Sequence, residues 1–225
     1  MALRHVLRLV AWLAVGGFAV VIGLGGGPIP AVIAACLVIL AVLYATLLLP
    51  RSAHAAFERG RYPAAARRYR LLGLSALGQR RERAALLSRV GCCVAQKRVA
   101  AAETLLAQVD ATALDGAERA VWLNNRACLA LEAGGDPAGA LALVEEAAVL
   151  RPDVPAVQHT RAMALLAVER VDEAIAVLDG MRTGGELPAP LEADRCRDLA
   201  RAWEKKGEVA YAEDYRLRAA MQVRS

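Results

Sequence analysis

The hydrophobic pattern divides the chain in two. From Leu9 to Pro50, a run of 42 residues, no position is charged. A bilayer is crossed by a helix of about 20 apolar residues, so this run has room for two. It is interrupted by Gly25-Gly26-Gly27-Pro28-Ile29-Pro30, a composition through which helices do not continue. The pattern predicts a two-helix transmembrane hairpin over residues 1–50, with helices near 9–25 and 30–49. At 1.5 Å per residue they span roughly 26 and 30 Å. Trp12 and Tyr44 stand where interfacial anchors belong. A cleaved signal peptide is the alternative for the first helix. Arg4, His5 and Arg8 would lead it and small residues at 31–35 would end it. Its apolar stretch exceeds the ~7–15 residues of such signals, and the second helix anchors the chain in either case.

After residue 50 the period changes. Apolar positions in 51–225 recur at helical spacing, with turn signals every ~15–20 residues and little strand-like alternation. One phase repeats. Gly60-Arg61-Tyr62-Pro63-Ala64-Ala65 aligns with Lys97-Arg98-Val99-Ala100-Ala101-Ala102 and with Gly135-Asp136-Pro137-Ala138-Gly139-Ala140. Glu169-Arg170-Val171-Asp172-Glu173-Ala174 and Gly207-Glu208-Val209-Ala210-Tyr211-Ala212 complete the set. Each has a turn residue, an apolar residue or Pro two later, and Ala five later. The phase alanines Ala65, Ala102, Ala140, Ala174 and Ala212 are spaced 37, 38, 34 and 38 apart. Such periods mark stacked helix pairs, none of which buries its apolar face alone. Start signals fit the phase. Asp115 precedes Gly116-Ala117-Glu118 as in a capping box, and Asp136-Pro137 sets a cap before a proline at the first helical position.

These residues resemble the tetratricopeptide repeat family. The strongest stretch runs from Trp122-Leu123-Asn124-Asn125-Arg126-Ala127-Cys128 to Arg151-Pro152, with Ala127, Cys128, Leu131, Gly135, Ala140, Val144, Ala147 and Pro152 on signature positions. Ala162, Leu165, Ala174 and Leu178 continue it. The first-helix glycine of the family is replaced by Val90, Cys128, Ala162 and Ala200. The first repeat would begin inside the second membrane helix. The resemblance implies an all-α chain: the hairpin, then a solenoid of about four to five helix pairs over 51–225. It implies protein or peptide binding along the first helix of each pair. Carried over by phase, the binding residues are Asn125, Leu129, Glu132, His159 and Met163. The family's carboxylate-binding set of Lys and Asn is not reproduced, so no capture of a chain terminus is implied.

Charge changes the picture next. Residues 1–50 carry +2, residues 51–110 carry +8, and residues 111–225 carry −5. The overall +5 thus describes one segment. Basic residues flank the apolar run at both ends and are absent from its internal loop. The positive-inside rule then places both ends, and the repeats, in the cytoplasm, with a multi-pass span of the inner membrane. Arg51, Arg59, Arg61, Arg67, Arg68 and Arg70 stand where anionic lipid would meet them, each such group gaining ~1 kcal/mol near an anionic leaflet. The competing reading is a solvated face that only sets orientation. Next to a membrane helix, lipid is favoured over nucleic acid. Alanine richness with 25 Arg against three Lys fits a GC-rich bacterial genome.

Chemistry adds little. Cys36, Cys92, Cys93, Cys128 and Cys196 make an odd set without spacing pattern, against a disulfide framework. Vicinal Cys92-Cys93 has the form of a redox or metal-sensing pair, but buried small hydrophobes are the commoner reading. His54 and Glu58 share a helix face without a third metal ligand. No phosphate loop, nucleophile elbow, zincin pair or dinucleotide fingerprint occurs. No catalytic, cofactor or metal residue is assigned, and the chain is not read as an enzyme. The expected function is that of a membrane-tethered scaffold or adaptor. The alternative is a permanent accessory subunit of a membrane enzyme or secretion assembly.

Overall fold

The structure is a computed structural model that describes Gly16 and residues 28–76, 78–183 and 185–224. Apart from Gly16, the first apolar stretch, with Arg4, Arg8 and Trp12, lies outside the described residues, as does Gly25-Gly26-Gly27. Among the described residues every regular element is helical.

The first element differs from the expected 30–49 span at both ends. Helix α1 (Pro28–Leu43) passes through a π-turn (Tyr44–Leu48) directly into α2 (Leu49–Glu58). The boundary expected between residues 50 and 51 therefore falls inside one continuous helix. Pro50 explains the π-turn. It has no N–H, and its ring would strike the Thr46 carbonyl in α geometry. The turn widens instead, and Leu49 N–H bonds to Tyr44 O. Thr46 Oγ1 bonds to Val42 O at 2.7 Å and helps occupy the carbonyls there. Within this helix Ile39–Glu58 is long and apolar enough to cross a membrane, and only 17% of its most apolar window is buried.

Among the described residues nine further α-helices follow, with a 3-10 turn at Ala111–Ala113: α3 (Tyr62–Ser75), α4 (Gln79–Ala95), α5 (Val99–Leu106), α6 (Gly116–Glu132), α7 (Pro137–Leu150), α8 (Pro155–Ala167), α9 (Val171–Gly180), α10 (Ala189–Lys205) and α11 (Val209–Arg224). Taken in order from α2 they make five pairs. The first pair takes its first helix from the end of the apolar span. This is the helix-pair array that the tetratricopeptide resemblance implies.

One local rule makes every pair. All five phase alanines fall on the second helix of a pair and are fully buried. Alanine there lets the two helices approach closely, since any larger side chain would hold them apart. Ahead of each stands a residue in the left-handed conformation: Gly60, Lys97, Gly134, Glu169 or Gly207. At each, the amide that follows reaches back five residues, as in Arg61 N to Ala56 O at 2.8 Å and Arg170 N to Leu165 O at 2.9 Å. This Schellman closure satisfies carbonyls that the first helix leaves open, and it turns the chain sharply. Asp115 caps α6 through a full capping box with Glu118, and Asp136 caps α7.

The array curls back on itself. A Cβ built on Gly60, in the turn of the first pair, would lie 3.2 Å from the ring of Pro190 at the start of α10.

The candidate binding groove

Three consecutive pairs bring their first helices α6, α8 and α10 side by side. Between them lies a cavity of about 390 Å³. Leu131 and Glu132 end α6, Met163 and Leu166 come from α8, and Asp198, Arg201 and Lys205 come from α10. Leu131, Met163 and Leu166 give it an apolar part, Asp198 is buried beside them, and Glu132, Glu169, Arg201 and Lys205 bring exposed charges of both signs.

Those charges are mutually paired. Arg201 Nη1 lies 3.0 Å from Asp198 Oδ1, and His159 Nε2 lies 2.9 Å from Asp198 Oδ2. The histidine contact is close enough for an ion pair but is not aligned as a hydrogen bond. Lys205 Nζ reaches Glu169 Oε1 at 2.6 Å, and Lys97 Nζ stands 3.6 Å from Glu132 Oε2. In the last two pairs a left-handed turn residue of one repeat meets a charge on the first helix of the next. Pairing between repeats fixes these charges without leaving a large net charge in the groove.

The five residues placed on this face by phase divide by burial. Glu132 and Met163 line the cavity. His159 is part-buried beside it, against Asp198. Asn125 is only 4% exposed and Leu129 only 6%. Asn125 Nδ2 donates to Leu87 O of α4 at 3.3 Å, and Leu129 packs with Val90, Cys93 and Ala102. Those two side chains tie α6 to the preceding pair. Phase alone missed Glu169, Arg201 and Lys205. Glu169 lies in the turn of the α8–α9 pair and Arg201 and Lys205 on α10; Lys205 and Glu169 pair across 36 residues of sequence, so no local pattern announces that contact.

The cysteines behave as packing residues. Cys92 and Cys93 are buried in separate clusters. Burial pushes the Cys92 thiol up to about 12 and the Cys128 thiol up to about 11. A thiol so raised stays protonated near neutral pH and is a poor nucleophile. Among the described residues no cluster of three or more His, Cys, Asp or Glu side chains has the form of a metal site.

No family model matches the sequence, and no curated protein matches it. Solved structures similar to the chain include the following two. One, described as MamA MSR-1 C2, has 17% identity over 81% of this chain and 98% of its own, with a TM-score of 0.44. The other, from a functional characterization of Pseudomonas aeruginosa PilF, has 20% identity over 94% of this chain and 91% of its own, with a TM-score of 0.45. Likeness this distant bears on no residue of the groove.

Proposed function

We propose that the chain is a membrane-tethered scaffold that docks a protein segment in the groove between α6, α8 and α10. The observation that carries the reading is the groove itself, which joins the apolar side chains of Leu131, Met163 and Leu166 to paired charges. An extended peptide meets both needs of such a surface. Its side chains cover the apolar part, and its backbone amides and carbonyls find the charged groups. The apolar helix that runs into the first pair supports the tether, and the arginines after it support a cytoplasmic side for the repeats.

The test places a photo-crosslinking residue at Met163 in the full chain in membranes. The same residue at Val149, which is 82% exposed on α7 and outside the groove, is the control. A partner captured from 163 and not from 149 supports the reading. Met163→Ala with Arg201→Ala should then lower partner recovery by roughly thirtyfold, the scale of a ~2 kcal/mol hot spot. The melting transition should move by less than the ~0.5 kcal/mol typical of surface changes.

Unchanged recovery would move attention to α11. There Val209, Tyr211, Leu217 and Met221 are all more than half exposed. That terminal face favours the second reading, an accessory subunit packed permanently into a larger membrane assembly.

A further inference from the structure

A second cavity, of about 410 Å³, lies where the apolar helix meets the first two pairs. One wall is Val42, Ala45, Thr46 and Pro50; the other comes from α3 and α4, including Leu72 and Ala84. Its lining is mainly apolar, with the hydroxyls of Thr46, Tyr69, Ser75 and Ser88 and the guanidinium of Arg81 among it. The volume is within the ~300–1,000 Å³ of ordinary ligand sites.

Its height along the helix follows from one bond. Arg68 Nη1 donates to Ser52 O at 2.7 Å and ties antiparallel α2 and α3 together at that level. Seven residues back from Ser52 is Ala45, and seven residues on from Arg68 is Ser75. At 1.5 Å per residue both lie about 10 Å toward the apolar end. The α3–α4 turn therefore stands beside the last turns of the apolar helix, not below them. At this level Leu71 and Leu74 project from α3 with more than half their surface exposed, as does Leu48 of the π-turn. Arg67 and Arg70 are exposed on α3, which carries no carboxylate, and Arg81 is exposed at the start of α4.

We infer that this cavity holds an acyl chain of an anionic phospholipid whose headgroup meets Arg81. The inference rests on the tethered reading above. With α1 in the bilayer, the cavity opens at the acyl–headgroup boundary, where an apolar slot rimmed by arginine matches one lipid molecule. Leu71 and Leu74 then enter the interface as an apolar wedge, and the arginine stems lie along it with their charged ends at the phosphates. Of the arginines considered from sequence, Arg59 and Arg61 stand at the far end of the pair, more than 10 Å beyond Pro50 by helical rise. They are therefore not part of this site.

The test uses the full chain in phosphatidylcholine nanodiscs. The discs are doped with phosphatidylglycerol or with phosphatidylcholine carrying a diazirine on one acyl chain. Labelled residues are then mapped by peptide mass spectrometry. The phosphatidylglycerol probe should label Leu72 and Ala84 as well as Leu40 and Leu43 of the helix. It should label the first two roughly fivefold more than the phosphatidylcholine probe does, the preference expected of one arginine for a headgroup of net negative charge. Ala84→Phe should fill the slot and remove the label at Leu72 while leaving that at Leu40. Arg81→Glu should abolish the preference for phosphatidylglycerol. Label on the helix alone overturns the lipid slot and leaves the tether standing. No label anywhere overturns both. Equal label from the two probes overturns the anionic headgroup. Label in the slot only after deletion of residues 1–27 would assign it to the chain's own first apolar stretch and overturn the inference.

Discussion

The two cavities are nearly equal in volume and opposite in chemistry. Among the described residues the one beside the apolar helix has Arg81 as its one charged lining residue, whereas five charged side chains line the one between α6, α8 and α10. They belong to regions of opposite net charge, +8 over residues 51–110 and −5 over residues 111–225. Yet the two regions share one framework. The same buried alanine and the same left-handed turn recur in every pair. What is repeated is what folds the chain; what differs between repeats is what it offers to other molecules. This separation is what a repeat architecture permits, because each pair is held mainly by its neighbours in sequence.

A shared framework must fail in the same way at both ends, and that gives the largest expected effect. Ala102→Glu in the basic region and Ala174→Glu in the acidic one each force a carboxylate into a fully buried helix crossing. The cost combines an unpaired buried charge with overpacking and should exceed about 4 kcal/mol. Circular dichroism melts of the full chain in detergent should lose the cooperative transition in both variants. If one variant melts like the parent, the framework is not common to the two regions.

The second test addresses the seam where the regions meet. Arg80, Arg83 and Lys97 from the basic side pair with Asp115, Glu118 and Glu132 from the acidic side. The middle pair is the most buried: Arg83 Nε and Nη2 lie 3.1 and 3.0 Å from Glu118 Oε2. The same oxygen accepts the Asp115 amide in the capping box. The backbone amide of Glu118 in turn holds the Asp115 carboxyl below its ordinary range. Arg83→Ala would leave Glu118 buried with one partner fewer and should cost about 2 kcal/mol. Arg80→Ala, at an exposed pair, should cost under about 1 kcal/mol. Equal losses would mean that the seam is held by net charge attraction rather than by the buried contact.

How much of this was legible in the residues depends on the range of the signal. The alanine phase needs only a spacing of 34–38 residues, so it shows directly in the sequence. The continuation of the apolar helix into the first pair is half legible, since Pro50 reads as a stop and acts as a π-turn. The groove is less legible still. Glu132 and Met163 follow from phase, but the burial of Asn125 and Leu129 depends on how closely α4 packs on α6. The curl that brings Pro190 to Gly60 joins positions 130 residues apart, and no periodicity encodes it.

The smallest effect concerns the turns themselves. Three of the five left-handed positions are glycine, but Lys97 has φ +55° in the basic region and Glu169 has φ +61° in the acidic one. A side chain in that conformation costs about 1–2 kcal/mol relative to glycine. Against this stand two losses on replacement. Glycine widens the unfolded ensemble by about 0.4–1 kcal/mol, and each substitution removes an exposed ion pair, with Glu132 or with Lys205, that contributes at most about 1 kcal/mol. The balance favours glycine by roughly 0.5 kcal/mol. Lys97→Gly and Glu169→Gly should each raise the melting temperature by about 1–2 °C, given the ~2–4 °C per kcal/mol of chains this size. A rise at both would show one turn geometry serving two chemically opposed regions. A rise at one and a fall at the other would mean that the pairing between repeats, and not the turn, sets the local stability there. A fall at both would remove the left-handed turn as the common device.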